Sequence, residues 1–409
     1  MFFYEISREI GIFRVMKAAF LSLFEKRTWE KDSLNGLRAI SMMAIFIFHL
    51  SDPIRDQLPQ DTAILNTFIS NLTSSVDLFF ILSGFLIYGV LYRTWEKTGT
   101  LSFKEFYINR SLRIFPAYYS FIFIALLVNK LQLKMMAASS DPKIQALLPS
   151  YSESVSRWIY DALYVSNYVT SSHFHTWSLS LEEQFYLIFP FICYFILFKL
   201  STKPRIVFLV LLYFSAALIR SLVHQANSGD QPYQVFDLLF HRPAHTRFDS
   251  IVAGIMAFEL YKNWNIIPKE HNRIREWYFL LPGLLFLSIA SFVPYKFSVY
   301  YNVFRFNFSN LGYAMVMLAS IHNLSFIGKF LGLRIFTPLA RISYGTYLWH
   351  IVAIFIASTQ LRINVHSISW FEFCKALVIG FSYALIFAFV SYMLIEYPFL
   401  SLKNRLKKD

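Results

Sequence analysis

Runs of about 20 consecutive, mostly apolar residues recur along the chain, the length an α-helix needs to cross a bilayer. Ten such runs are found, at roughly 34–51, 74–92, 112–128, 177–198, 205–223, 247–261, 277–293, 300–321, 342–359 and 372–395. The runs near 34 and 247 are the most polar of the ten. Stretches such as FIFIALLV do not alternate polar and apolar positions, as barrel strands would. Only 15% of the 409 residues are charged and 56% are hydrophobic. A soluble domain carries about 25% charged residues. Too little charge remains to coat a water-facing surface. The sequence therefore predicts an all-α polytopic membrane protein with about ten transmembrane helices. It excludes a soluble enzyme, a disordered chain and a nucleic-acid-binding module, so no nucleic acid partner is expected.

The net charge of +13 has a plain cause in such a chain. Lys and Arg hold loops on the cytoplasmic side. With the N-terminus placed inside, the inner segments carry a roughly threefold excess of Lys and Arg over the outer loops, which places both termini in the cytoplasm. Three parts follow: a cytoplasmic amphipathic segment at 1–33, a membrane domain at 34–396 and a basic tail at 397–409. No removable signal peptide is expected, because 1–31 lacks a clean apolar core and a cleavage site. The stretch RWIYDALYV in the long outer loop reads as an amphipathic segment on the interface. Cys193 and Cys374 both lie in apolar runs and suggest neither a disulfide framework nor a metal site.

Ionisable residues inside spans cost about 2.5–3.5 kcal/mol each on insertion scales, so each is a candidate for function. Arg38 and His49 lie 11 residues apart in the first span. That is close to three α-turns, which puts them on one face about 16 Å apart along the axis. Arg suits a phosphate or a polarised carbonyl, and His suits proton transfer. Asp77 opens the second span, where it can orient His49, pair with an arginine or cap the helix. Ser83 and Gly84 in that span allow close helix approach. Arg110 and Arg113 are neighbours on one face of the third span and could clamp a phosphorylated ligand. HFHTWSLSLEEQFY opens the fourth span with His173, His175, Trp177, Glu182 and Glu183. These residues suit acid–base work or hydroxyl recognition, and their spacing is not that of an HExxH metal site. Arg247 and Asp249 open the sixth span, where a mutual salt bridge is the bland explanation. SYGTYLWH carries Tyr347 and His350, the latter readable as a satisfied structural histidine. Glu396 would pair with Arg113 or Arg341.

Sorted by side, His49, Asp77, His175, Glu182, Glu183, Arg247 and Asp249 fall on the outer half. Arg38, Arg110, Arg113, Arg341 and Glu396 fall on the inner half.

These segments together resemble the acyltransferase-3 family of integral membrane O-acyltransferases. The carrying motifs are the Arg38–His49 pair, VDLFFILSGF, RSLRIFP, HTWSLSLEEQFY, RFDSIVAG, SYGTYLWH and IEYPF, spread over Leu34 to Phe399. Beyond them only a basic tail is expected, without the C-terminal esterase-like domain of some members. The resemblance implies transfer of an acyl group, usually acetyl, from cytoplasmic acyl-CoA to a hydroxyl on an extracytoplasmic acceptor. Acceptors in the family include O-antigen of lipopolysaccharide, capsule, peptidoglycan, exopolysaccharide, Nod factors and macrolides. The expected partners are acyl-CoA, a glycan or lipid-linked glycan and the lipid bilayer, and the expected location is a bacterial inner membrane.

The family's functional Arg and His fall on Arg38 and His49. Its basic motif falls on Arg110 and Arg113, and its Trp-to-Glu motif on Trp177 and Glu182. In the implied mechanism Arg110, Arg113 and Arg38 hold the CoA phosphates. His49 acts as general base, or less readily as nucleophile, with Asp77 or Glu182 orienting it. His175, Trp177, Glu183, Arg247 and Asp249 would meet the acceptor. Neither a metal nor a resident cofactor is expected. The rival reading is a transporter or flippase for a glycan or acyl carrier, against which stands the lack of paired repeats.

Overall fold

A computed structural model describes residues 11–26, 30–227, 229–263, 273–321, 325–363 and 367–405. Among them every regular element is helical. The principal helices are α1 (Ile12–Ser22), α2 (Asp32–Ser51), α3 (Ser75–Thr98), α4 (Phe103–Ala137), α5 (Trp177–Ile192), α6 (Thr202–Ala226), α7 (Ala244–Asn263), α8 (Arg273–Ser291), α9 (Arg305–Ser320), α10 (Ser343–Leu361) and α11 (Trp370–Ser391). A helix thus occupies each of the ten apolar runs. Among the described residues, six helical stretches are long and apolar enough to cross a bilayer: Asp32–Gln57, Ala63–Thr98, Phe103–Ala137, Phe174–Leu197, Thr202–Ala226 and Trp370–Leu402. The chain is a multi-pass membrane protein. Helices α7 to α10 are too short or too polar to meet the same requirement.

Helix α6 shows how the chain is turned towards lipid. Val207, Leu211, Phe214, Leu218 and Leu222 recur at helical spacing and are exposed. On the opposite face Arg205, Leu209, Tyr213, Ala216 and Arg220 are buried. Guanidiniums point inward and hydrocarbon outward, the reverse of a soluble amphipathic helix. The arrangement is stable only where the surroundings are apolar.

Helix α3 occupies the centre, packed against α2, α7 and α9. Its crossing with α7 is set by two glycines. A Cβ on Gly84 would strike the carbonyl oxygen of Ile251, and one on Gly254 would strike that of Ile81. The contacts are reciprocal, so the two backbones touch at one point. Gly84 was readable as a close-approach residue from the sequence, whereas Gly254 in RFDSIVAG carried no such signal. Around this crossing lies a core of Leu82, Phe85, Val252, Ile255 and Phe258. A second core joins Phe46, Phe80, Phe121, Trp177 and Leu348 from α2, α3, α4, α5 and α10.

The N-terminal segment is tied down. Ala19 and Leu23 pack against Ile342, Ala388 and Tyr392. Arg341 donates to the carbonyls of Ser22 and Glu25 and pairs with Glu30 at 2.9 Å. Arg341 is therefore committed to the N-terminal segment, and Glu396 lies instead in electrostatic reach of Arg113. Residues 1–10 and 406–409, parts of the expected terminal segments, lie outside the described residues.

The stretch RWIYDALYV is not a simple interfacial helix. Its Asp161 is fully buried. That carboxylate accepts from the Thr176 hydroxyl at 2.6 Å and from the His173 backbone N–H at 3.2 Å. Ser166 extends the network to Thr176 at 2.9 Å and Ser180 at 2.7 Å. A polar loop thereby grips the start of α5. A carboxylate inside an aromatic run was the available signal, because such a group tolerates burial only with its hydrogen bonds met.

Candidate active site

Two polar regions lie side by side in the helix bundle, and they are built on different rules. The first joins α3, α6, α7 and α9. Arg247 pairs with Asp77, whose carboxylate also accepts from the Ser250 hydroxyl at 2.9 Å. Arg247 further donates to the His241 carbonyl at 2.9 Å and lies over the Phe306 ring at 4.3 Å. Arg220 pairs with Asp249 at 2.8 Å and donates to the Thr246 carbonyl at 2.5 Å and to Asn307 Oδ1 at 3.0 Å. Towards the other end of α6, Arg205 meets Glu259 at 3.0 Å, and Glu259 also accepts from Tyr88 and from Asn263. Asp77, Arg220, Arg247, Asp249 and Glu259 have no accessible surface.

This region revises three expectations. Arg247 and Asp249 do not form a mutual salt bridge, since each is taken by a different helix. Nor do they offer surface to an acceptor sugar. Asp77 is held by Arg247 and Ser250 rather than by His49. Its alternative role as an arginine partner is the one the geometry gives it. Arg205 and Arg220 were overlooked in the sequence, where they sit in the most apolar-looking run. Their partners, Glu259 and Asp249 on α7, could not be matched without the fold.

The second region runs along α2 between Arg38 and His49. Its side chains are enclosed by the bundle yet keep accessible surface: Arg38, His49, Ser83, Arg110, Glu182, Glu183 and Tyr344 are all partly exposed.

At one end, Arg38 lies within electrostatic reach of Arg110, Arg113, Glu30 and Tyr186. The Arg110 guanidinium stacks on the Tyr186 ring at 3.6 Å. Tyr186 donates to Ser83 Oγ at 2.8 Å, and Ser83 donates to Glu182 at 2.5 Å. Glu182 and Glu183 lie in electrostatic reach of Arg110. The three arginines singled out in the sequence do come together. The two glutamates join them rather than the outer histidines, because they sit two turns into α5 and not at its mouth. Glu182 therefore orients no histidine here; through Ser83 and Tyr186 it braces Arg110.

At the other end, three imidazoles meet. The ring centre of His350 lies 5.1 Å from that of His49 and 5.1 Å from that of His175. The ring of Phe174, itself exposed, covers His49 at 5.4 Å. His175 is fixed by Leu348 O, 3.2 Å from its Nε2, and by Tyr347, whose hydroxyl donates to the His175 carbonyl at 2.8 Å. Trp177 turns away from this group, packing at 4.7 Å on His241 and 6.0 Å on Phe80. Among the described residues no carboxylate lies in ion-pair distance of His49, and no set of ligands suited to a metal ion is found.

The profile of the family described as "Acyltransferase domain" (Acyl_transf_3) matches residues 31–394, nearly the whole chain. The chain belongs to the acyltransferase-3 family. Relatives of this acyltransferase-3 chain include a protein of Staphylococcus aureus (strain MSSA476) named "Putative O-acetyltransferase". It is 26% identical over 383 residues, covering 91% of this chain and 58% of the relative. The peptidoglycan O-acetyltransferase OatA of Listeria monocytogenes serovar 1/2a is 25% identical over 344 residues, covering 81% of this chain and 50% of OatA. A Bacillus subtilis (strain 168) protein named "Putative peptidoglycan O-acetyltransferase YrhL" is 25% identical over 371 residues, covering 89% and 54%. The acyltransferase-3 chain thus spans little more than half the length of these relatives. No solved structure matches it.

Proposed function

We propose that this protein is a membrane O-acyltransferase that moves an acyl group, acetyl by the names of its relatives, from cytoplasmic acyl-CoA to a carbohydrate hydroxyl outside the membrane. One observation carries the reading. A cluster of arginines and a cluster of imidazoles lie at opposite ends of one face of α2, and the space along that face is taken as the donor's cleft.

Arg38, Arg110 and Arg113 supply three guanidiniums of the kind that bind phosphate through paired N–H donors. They suit the phosphates of a coenzyme A donor. Glu182 and Glu183 temper their mutual repulsion and hold Arg110 in place. The pantetheine arm is long and thin enough to follow the cleft towards His49. There His49 takes the proton of the acceptor hydroxyl as the oxygen attacks the thioester carbonyl. Positioned proton transfer of this kind contributes about 10²–10⁴-fold. The C–S bond then breaks and the thiolate recovers the proton from His49. The acceptor reaches His49 past Phe174, whose exposed ring suits the apolar face of a sugar. Surface glycans such as peptidoglycan, O-antigen, capsule or exopolysaccharide present hydroxyls in the right compartment if the protein sits in a bacterial inner membrane. The fully buried Asp77, Arg247 and Asp249 hold the helices that form the cleft wall.

Purified protein in lipid nanodiscs tests the reading. Supplied with acetyl-CoA labelled in the acetyl group and a soluble glycan fragment, it should release CoA and label the glycan. The His49→Ala variant should do neither while melting like the wild type. Release of CoA unaffected by His49→Ala would overturn the role given to the imidazole. Loss of O-acetyl groups from surface glycans in cells lacking the protein, read by mass spectrometry and NMR, would identify the acceptor.

A further inference from the structure

We infer that His350 is a positioning residue for the reaction, accepting an N–H hydrogen bond from His49 and so performing, with the Tyr347 carbonyl behind it, the task that a carboxylate performs in many catalytic histidine pairs. The inference rests on the acyl-transfer reading above and goes beyond it, since that reading gives His350 no part.

The argument begins with proton placement. His350 Nδ1 lies 2.5 Å from the carbonyl oxygen of Tyr347. A carbonyl can only accept, so Nδ1 carries the proton and Nε2 of the neutral ring carries a lone pair. His350 is fully buried, and that Nε2 has no hydrogen-bond partner. An acceptor left unmet in the interior costs about 1–3 kcal/mol, so a donor belongs there. Two rings are near enough to supply one. His175 is spoken for, because its Nε2 faces the Leu348 carbonyl at 3.2 Å and must hold its proton there. Its other nitrogen is then itself an acceptor. His49 remains, its ring centre 5.1 Å from that of His350. At this spacing two imidazoles meet nitrogen to nitrogen at hydrogen-bond length once their rings turn towards each other. Catalytic hydrogen bonds are often open in the resting protein and tighten when substrate binds.

The surroundings of His49 show why such a partner matters. The groups that face it are Phe174 and His175 from the segment before α5, His350 from α10, and Arg242 and His241 from the segment before α7. Arg242 is itself paired with Asp237. None of these can accept charge as a carboxylate would. When His49 takes the hydroxyl proton on one nitrogen, the other nitrogen is left as an N–H in a positive neighbourhood. A bond from that N–H to His350 Nε2, with the His350 Nδ1 proton already on the Tyr347 oxygen, spreads the charge along a path of neutral acceptors. It also fixes which nitrogen of His49 faces the substrate. Tyr347 is held in register by Ser178 at 2.5 Å, so the path is anchored on two helices.

The test compares two replacements of similar volume in nanodiscs. Gln at 350 places an amide oxygen near the position of Nε2, whereas Met fills the space without an acceptor. His350→Met should lower kcat for acetyl transfer at least tenfold, with KM for acetyl-CoA and for the acceptor within threefold of wild type. His350→Gln should recover most of that loss. Equal activity of the two variants, or a loss expressed in KM rather than kcat, would overturn the assignment. His49→Ala, run alongside, separates this outcome from failure of the acyl-transfer reading. If that variant keeps full activity, the fault lies with the base and not with its partner. Should the Met variant not fold, His350→Asn keeps a donor for Tyr347, its shorter side chain holds the amide oxygen short of the Nε2 position, and it makes the same comparison with Gln.

Discussion

The two polar regions of this protein treat charge in opposite ways. Between α3, α6, α7 and α9, opposite charges are sealed together: Asp77 with Arg247, Asp249 with Arg220 and Glu259 with Arg205. Along α2, like groups are gathered instead, arginines at one end and imidazoles at the other, and Arg38, Arg110 and His49 keep accessible surface while His175 and His350 are buried. A sealed pair balances its own charge and has no surface with which to bind. A set of like charges is costly until something of opposite charge or a transferable proton arrives. The contrast separates scaffold from the proposed reaction site although both are made of the same residue types.

Four substitutions press on that contrast. The largest effect is expected at His49→Ala, with acetyl transfer falling about 10²–10⁴-fold and thermal stability in detergent unchanged. A parallel drop in melting temperature would move His49 into the scaffold class. Next comes Arg220→Met. Breaking a buried pair from one side costs about 3–5 kcal/mol, so little folded protein should survive size-exclusion chromatography. Adding Asp249→Asn should restore part of the yield; if the double variant is worse than the single, the pair is not sealed as described. Gly254→Ala drives a methyl into the backbone of α3 and should cost about 1–3 kcal/mol, read as a lower unfolding temperature. Unchanged melting would mean that the α3–α7 crossing can open. The smallest effect is expected at Arg110→Lys, which loses the stack on Tyr186 and the forked donors. KM for acetyl-CoA should rise about tenfold, or about 1.4 kcal/mol, with kcat nearly constant. A change in kcat alone would place Arg110 outside donor binding.

The sequence was most legible where physics is local. Length and apolarity located the ten helices, and the 11-residue spacing put Arg38 and His49 on one face of α2. The convergence of Arg110 and Arg113 on Arg38 followed from their shared inner position. Pairing across helices was not legible. Arg247 and Asp249 are two residues apart, and proximity along the chain suggested a mutual bridge. On a helix that spacing points them to different sides, towards α3 and α6. Glu182 was offered as a partner of His49 and Glu183 as an acceptor contact, both on the outer side with the histidines they follow in sequence, yet their place along α5 brings them to Arg110. Asp161 was passed over, and His350 was weighed as a structural histidine, for the same reason. Their partners, Thr176 and the His49 ring, come from segments whose approach only the packed bundle defines.

The inward guanidiniums of α6 constrain how the protein is made. Arg205 and Arg220 leave the ribosome before Glu259 and Asp249, which neutralise them. Placed alone in hydrocarbon, each would cost about 2.5–3.5 kcal/mol. The rest of α6 is the most apolar of the six long helices, so the helix can bear both guanidiniums until α7 arrives. Once α7 is in place, Glu259 and Asp249 take both guanidiniums out of contact with hydrocarbon.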